Sequence, residues 1–429
     1  MQELLPLKIR TSVQDWFFVI ISIGHDRTIR LVLELDSRVD MPRLSRALEL
    51  LLHAEPVLAS RFSPAIMQAY WRHRDDLDVA EMCQLVETDD VARDMHAFMA
   101  VSLDPLVHPL VHLRVFRSTT DTVCIKLSHA AMDGGGFKQI VQRLTALYRS
   151  LGTDPSTVPP LDLVYDRSQH QVLRLFPLRA LVKAFLTQPF HKKTWSFPFT
   201  GKDPADFAFI ERTVDTPVPA IREALRARGA TITDGIVASV ARTLFDLTDM
   251  TPGVPVPFTI ATDLRRFLPA PDSAGLCNLS SLAWIDLVRR PGATMDDTLA
   301  DVHAAVEMVM NDNPGIGLAV VMEIVSVLGY HGFAFFNRLR AKMARGQGRE
   351  FPSLSNIGVM DPKVLDFGDA RVKRARFFGP VMFPPTFYVV SGSFENVLYF
   401  TASYPRNMVP EGLMDRFLDR LVEEVSSLA

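Results

Sequence analysis

The sequence predicts an α/β protein of two domains, and three observations carry that prediction. The chain has 429 residues, more than one ordinary core uses and enough to bury two sizeable interiors. Apolar, β-branched runs alternate along it with stretches of helical apolar spacing. Between one such run, Val123 to Leu127, and one such stretch, Phe137 to Tyr148, lies the glycine-rich corner Ser128-His129-Ala130-Ala131-Met132-Asp133-Gly134-Gly135-Gly136.

Taken in order, Trp16 to Ile23 is an apolar run too short to span a bilayer and predicts a buried strand. Met41 to Phe62 predicts a helix that closes in the segment His53 to Phe62 and leads into the next strand. The N-terminal domain is expected over 1–151 and a crossover linker over 152–206. Three prolines fall within Thr153 to Pro160, and Gln171 to Phe199 mixes basic, aromatic and proline residues. The C-terminal domain is expected over 207–429. It would hold a helix from Thr233 to Leu247, strands at Phe387–Ser391 and Val397–Ser403, and a final helix from Glu411 to Leu428.

Gly317 to Phe336 is almost wholly apolar, broken by Glu323 and His331. Gly329 and Gly332 within it favour two helices packed inside the second domain over one membrane span. Arg338, Arg340, Lys342, Arg345 and Arg349 follow. They read as a solvated helix end, a surface for a membrane, or a receiver for a phosphate-bearing group.

Composition excludes several classes. A formal net charge of -3 leaves no basic footprint for nucleic acid. Cys83, Cys124 and Cys277 are too far apart for a local metal site or a disulfide framework, so reduced thiols in a cytoplasmic protein are expected. No basic stretch, apolar core and cleavage site mark a leader. The chain has no G-x-S-x-G elbow, phosphate loop, H-E-x-x-H zinc helix or dinucleotide fingerprint. His108 and His112, four apart, read as core or rim side chains of a strand rather than metal ligands. No metal and no bound cofactor are expected.

The chemistry concentrates at His129. A histidine presented by a turn at a strand end can act as a general base, and glycine amides beside it can approach a developing oxyanion. The bland reading of His129 and Asp133 is a surface pair at i, i+4. The flanking strand, the three glycines and the amphipathic helix favour a site.

This H-x-x-x-D-G run resembles the signature of the CoA-dependent acyltransferase superfamily, which includes chloramphenicol acetyltransferase, condensation domains, polyketide-associated acyltransferases and alcohol acetyltransferases. Other pieces follow in the family's order. His53 to Phe62 is similar to its x-h-P-v-L-r-x-r-F segment, and Gly229 to Ile236 to the helix start of its second half. Thr262-Asp263-Leu264-Arg265-Arg266 and Cys277-Asn278-Leu279-Ser280 resemble its D-L-R and G-N pieces, and Ser355-Asn356-Ile357-Gly358 its S-N-x-G strand. The resemblance implies two chloramphenicol-acetyltransferase-like domains, each a mixed sheet flanked by helices, with an active-site channel between them.

It further implies an acyl group moved from a CoA thioester to an alcohol, with His129 as base and a backbone amide of Gly134 at the oxyanion. Asp133 would point away from substrate and pair with Arg265, ordering the turn, while one of Arg265 and Arg266 faces outward. Ser128, Gly135, Asn278, Ser355 and Asn356 would contact substrate. Acyl-CoA enters as co-substrate. An amine acceptor, a donor carried on a carrier protein, and a non-catalytic scaffold are the alternatives; a monomer suffices, and peripheral membrane association is open. Two departures stand out. Condensation domains carry a histidine where this chain has Ser128, and Asp366-Phe367-Gly368-Asp369-Ala370 only begins like the D-F-G-W-G of the plant branch.

Overall fold

The computed structural model describes residues 8–21, 24–159, 166–188, 193, 195–201, 203–270 and 275–429. Two mixed sheets organise the chain. The first has five strands in the order Val372–Phe378, Thr28–Leu35, Asp121–Ser128, Val111–Arg117, Cys83–Glu87, antiparallel except for its last pair. The second has six, in the order Ser280–Val288, Pro255–Asp263, Ser353–Met360, Tyr388–Phe394, Val397–Pro405, Phe207–Thr213. Ser353–Met360 runs parallel to both of its neighbours there. A small sheet of Lys8–Arg10, Tyr70–His73 and Ser60–Ser63 stands beside the first.

Each large sheet owns a core. The first gathers Leu31, Leu48, Trp71, Val123, Phe137 and Tyr148, and the second gathers Val237, Phe258, Val302, Phe387, Phe400 and Phe417. The strand Val372–Phe378 comes from the C-terminal part of the chain yet pairs with Thr28–Leu35 at the edge of the first sheet. Its backbone therefore ties the two lobes beside the His129 turn.

The sequence misread Trp16 to Ile23. Val13–Ile20 is a helix, and residues 22 and 23 lie outside the described residues. A short apolar run bounded by turns does not by itself separate a buried strand from a buried helix. The deciding signal lies upstream, in a capping box. Asp15 N donates to Ser12 Oγ at 3.1 Å, and Ser12 N donates to the Asp15 carboxylate at 3.1 Å. The long helix expected to Phe62 ends at Ala54 instead, and Ser60–Ser63 is already strand. Pro56 explains the stop, because the residue before a proline is pushed out of the helical region.

Gly317 to Phe336 does divide into two helices, Ile316–Ser326 and Gly329–Gln347, broken where Gly329 adopts φ +71°. The first of them packs partly on the second lobe, where Ile316 and Ala319 meet Leu264, Cys277 and Leu279, but the pair is not enclosed there. Met322, Tyr330, Phe333 and Ala334 join the core of the first lobe, and Trp16 meets the rings of Tyr330 and Phe333 edge-on at 5.7 and 5.9 Å. No helix among the described residues is long and apolar enough to cross a membrane. Between the lobes run the helices His170–Leu173 and Leu178–Leu186, after which Trp195 and Phe197 enter the second core.

Candidate active site

Strand Asp121–Ser128 ends where its sheet meets the second lobe, and helix Gly134–Thr153 begins five residues after Ser128 at its N-cap Asp133. The turn between them is pinned at its start. His129 N donates to Arg27 O at 2.7 Å, and Ser128 N donates to Leu110 O at 2.8 Å. From Ser128 to Asp133 every residue is buried except His129, which retains partial solvent exposure.

The imidazole lies face to face with Phe18, ring centres 3.8 Å apart and planes 19° from parallel. Phe18 comes from the Val13–Ile20 helix, so that helix sets the plane of the ring. Nδ1 is buried without a hydrogen-bond partner among the described residues, while the residue as a whole keeps partial exposure. Burial holds the His129 pKa below its ordinary 6.5, opposed by its own carbonyl, by Asp133 and by the Asn278 side chain. At neutral pH the ring is therefore uncharged and can accept a proton.

Asp133 faces away from this chemistry. Both of its carboxylate oxygens take Arg265 Nη1, at 2.9 and 3.0 Å, and they also accept Gly136 N at 2.9 Å and Leu279 N at 2.6 Å. Arg265 is buried, lies 3.2 Å from Asp263, and donates to Cys277 O at 2.7 Å, while Arg266 is exposed. The Arg265 guanidinium and these hydrogen bonds hold the Asp133 carboxyl below the usual carboxylate range against the cost of burial. One ion pair thus fastens the first lobe's turn to the second lobe's Asp263–Phe267 segment. Gly135 sits against it: a Cβ there would lie 3.0 Å from Arg265 Nη1 and 3.1 Å from Asp263 Oδ2.

The other named residues fall into two groups. Around the turn, Asn278 is fully buried and donates through Nδ2 to Ala130 O at 3.1 Å, with its Oδ1 unpaired. Ser128 Oγ is likewise buried and unpaired. Gly134 opens the helix, and its amide and that of Gly135 have no intrahelical acceptor, since first-turn amides never do. A Cβ at Gly134 would touch Phe377 at 3.5 Å, so the helix start abuts the strand that crosses between lobes. Ser355 and Asn356 belong to the second group, on strand Ser353–Met360. Asn356 Oδ1 accepts Gly358 N at 2.9 Å, closing a turn within its own strand, and Ser355 hydrogen-bonds Tyr388. Lys138, one turn into the helix, bridges to that strand by donating to Ile357 O at 2.7 Å.

Four neighbours of His129 were not singled out from the sequence. Phe18 has been described. His25 is buried, and because its Nδ1 accepts Arg27 N at 2.9 Å the neutral ring carries its proton on Nε2. Burial first, then the nearby His129 and Arg27, push its pKa down to about 3. Asp15 and Arg167 form a second buried ion pair at 3.1 Å. Asp15 also accepts Trp71 Nε1 at 2.9 Å, and Arg167 donates to Leu276 O and to Ala131 O within the turn. The signal for these residues was charge inside apolar surroundings, as in Ser12-Val13-Gln14-Asp15-Trp16, which only pays off once the partner is known.

Solved structures share this fold across nearly the whole chain. Polyketide synthase associated protein 5 from Mycobacterium tuberculosis superposes with a TM-score of 0.64 at 17% identity, covering 97% of each chain. The TRI3 trichothecene 15-O-acetyltransferase from Fusarium sporotrichioides gives 0.74 at 12% identity, over 98% of this chain and 95% of that one. The first condensation domain of the calcium-dependent antibiotic synthetase gives 0.70 at 17%, over 99% and 98%. The chain has the two-lobed acetyltransferase and condensation-domain fold. No family model matches the chain, and no curated protein matches it in sequence. In this two-lobed fold the His129 turn lies where both lobes contribute backbone and charge, and the Gly134–Thr153 helix carries it against the second sheet.

Proposed function

We propose that the protein is an acyltransferase that moves an acyl group from a CoA thioester to an alcohol, with His129 as the general base. The observation that carries the proposal is the state of that side chain. It is a neutral imidazole on a partly exposed residue, its plane is set by Phe18, and no carboxylate among the described residues bonds to it. Similarity to acetyltransferase and condensation-domain structures supports the same reading.

The step balances on one residue. Nε2 takes the hydroxyl proton as the acceptor oxygen attacks the thioester carbonyl. When the tetrahedral intermediate collapses, the C–S bond breaks and the imidazolium returns that proton to the leaving thiolate. The first-turn amides of Gly134 and Gly135 are the candidate donors to the oxyanion, reinforced by the positive end of the helix they begin. Asp133 and Arg265 aim the turn and do not exchange protons with substrate. Ser128, Asn278, Ser355 and Asn356 would act at the edge of the site, Asn278 mainly by holding Ala130 and the imidazole in place.

The test is thiol release from acyl-CoAs of increasing chain length with pooled alcohol and amine acceptors, comparing wild type with His129→Ala. Release by the wild type alone supports the reading and names the donor. Release by neither protein, together with turnover of an acyl group loaded on a carrier protein, would move the donor to a carrier thioester. Equal release by both would remove His129 from the mechanism.

A further inference from the structure

The helix Gly329–Gln347 has one face in the core and an apolar face in water. Tyr330, Phe333, Ala334 and Asn337 are buried at i, i+3, i+4 and i+7. On the opposite side Phe335, Phe336, Leu339 and Met343 are exposed, Phe335 by 70% and Met343 by 58%. At 3.6 residues per turn these four form one stripe, with Arg338, Lys342 and Arg345 along one flank and Arg340 on the other. No acidic residue occurs between Glu323 and Glu350. All five of Arg338, Arg340, Lys342, Arg345 and Arg349 are exposed, and no carboxylate lies on the helix itself.

The apolar surface continues past the helix start. Tyr330 N and His331 N donate to Met67 O and Ile66 O at 3.0 and 3.2 Å, docking a loop whose side chains Ile66 and Met67 are 74% and 61% exposed. Val327 and Leu328, between the two helices, are exposed as well. On the other side of Ile316–Ser326 packs the Leu178–Leu186 helix, which buries none of its residues and exposes Leu178, Val182 and Phe185 at i, i+4 and i+7.

We infer that this face docks on a lipid bilayer carrying anionic headgroups, with the Phe335–Met343 stripe in the acyl boundary and the flanking cations at the phosphates. Charge decides the occupant. Exposed cations on both sides of an apolar stripe suit a plane of phosphates. Long Arg and Lys stems can lie along the stripe and lift their charges to the headgroup level. The inference is independent of acyl transfer, although the docking helix packs on the Val13–Ile20 helix that carries Phe18 to His129.

The experiment is co-flotation of the whole protein with vesicles of phosphatidylcholine alone and of phosphatidylcholine mixed with phosphatidylglycerol, across a salt series. Wild type is expected to float with the anionic vesicles and to be released by salt. Lys342→Gln with Arg345→Gln should weaken binding roughly thirtyfold, from about one tenfold step and a half per pair of surface cations. Phe335→Ser with Met343→Ser should bind weakly at every salt concentration, and unchanged thermal melting would show that both variants fold. Wild type that ignores anionic vesicles, or variants that bind as it does, overturns the inference. So does concentration-dependent dimerisation abolished by Phe335→Ser with Met343→Ser in a protein that does not float, which would assign the face to a second copy.

Discussion

Replacing Asp133 by Asn tests whether the ion pair at the lobe junction aims His129 or takes part in the chemistry. The carboxylate receives four hydrogen bonds: two from Arg265 Nη1, one from Gly136 N and one from Leu279 N. An amide has one acceptor oxygen and one NH2, so whichever way it turns, at least one of those donors meets another donor. An unsatisfied buried donor costs about 1–3 kcal/mol. Breaking a buried ion pair by neutralising one partner costs about 3–5 kcal/mol. Asp263, 3.2 Å from Arg265, offsets part of this by keeping the guanidinium beside one carboxylate. The two penalties share the same atoms and do not add, so Asp133→Asn should lower unfolding stability by about 3–4 kcal/mol. Adding Arg265→Gln should cost less than the sum of the single variants by about 1–3 kcal/mol, because the orphaned cation goes too. Urea unfolding measures the stability, and thiol release measures the rate. The rate should fall through kcat while the midpoint of its pH profile moves downward, because the Asp133 charge raises the His129 pKa against burial. Stability within about 1 kcal/mol of wild type would refute the argument that this pair orders the turn, and a midpoint moved upward would contradict that effect of Asp133 on the imidazole.

His129→Ala should lower kcat by about 10²- to 10⁴-fold with the fold intact by circular dichroism, the usual range for a positioned base. Because burial lowers the His129 pKa, the wild-type rate should rise with pH below neutrality and be level above it; a rate still rising through pH 8 would contradict that direction. His25, ordinarily near 6.5 and pushed to about 3 in the folded chain, binds its proton more readily when unfolded. Its neutral burial is therefore undisturbed above pH 6.5, and stability should fall by about 1.4 kcal/mol per pH unit on acidification toward 3. In His25→Asn, whose side-chain oxygen can still accept Arg27 N, that slope should shrink by one proton; an unchanged slope between pH 6 and 4 would exclude the assignment. Gly135→Ala forces a Cβ to within 3.0 Å of Arg265 and 3.1 Å of Asp263 and should cost about 1–3 kcal/mol, whereas Gly134→Ala meets its nearest neighbour at 3.5 Å and should fold as stably as wild type. Equal melting of these two variants would argue against the packing described around Arg265.

Local pattern exposed the parts of this molecule whose causes are local. Strand, glycine corner and helix around His129 were legible because a β-branched run, three glycines and a 3.6-residue apolar period each act over fewer than about ten residues. The fold class was legible from length and from the order of motifs. What stayed hidden depends on partners far away in sequence. Val13–Ile20 reads as a strand until Ser12 and Asp15 are seen to cap each other, and Asp15 has no evident purpose until Arg167, 152 residues on, reaches it. The Gly329–Gln347 helix was assigned to the second lobe because an apolar run shows that it is buried but not against what. Trp16, from the other end of the chain, supplies that answer.

The two buried ion pairs together explain how a turn with three consecutive glycines can hold a ring in place. Left alone, Gly134, Gly135 and Gly136 would give the helix start more conformational freedom than any other residues could. Asp133–Arg265 fixes the helix side of the turn to the second lobe. Asp15–Arg167 reaches the strand side through Ala131 O, and Asn278 reaches Ala130 O. Residues 276 to 279 serve both clamps: Leu276 O accepts from Arg167, Cys277 O from Arg265, and Leu279 N donates to Asp133. The short segment from 276 to 279 therefore joins both anchors of the turn that carries the imidazole. Small glycines let the helix approach Phe377 and Arg265 closely, and buried charge restores the order that glycine gives up.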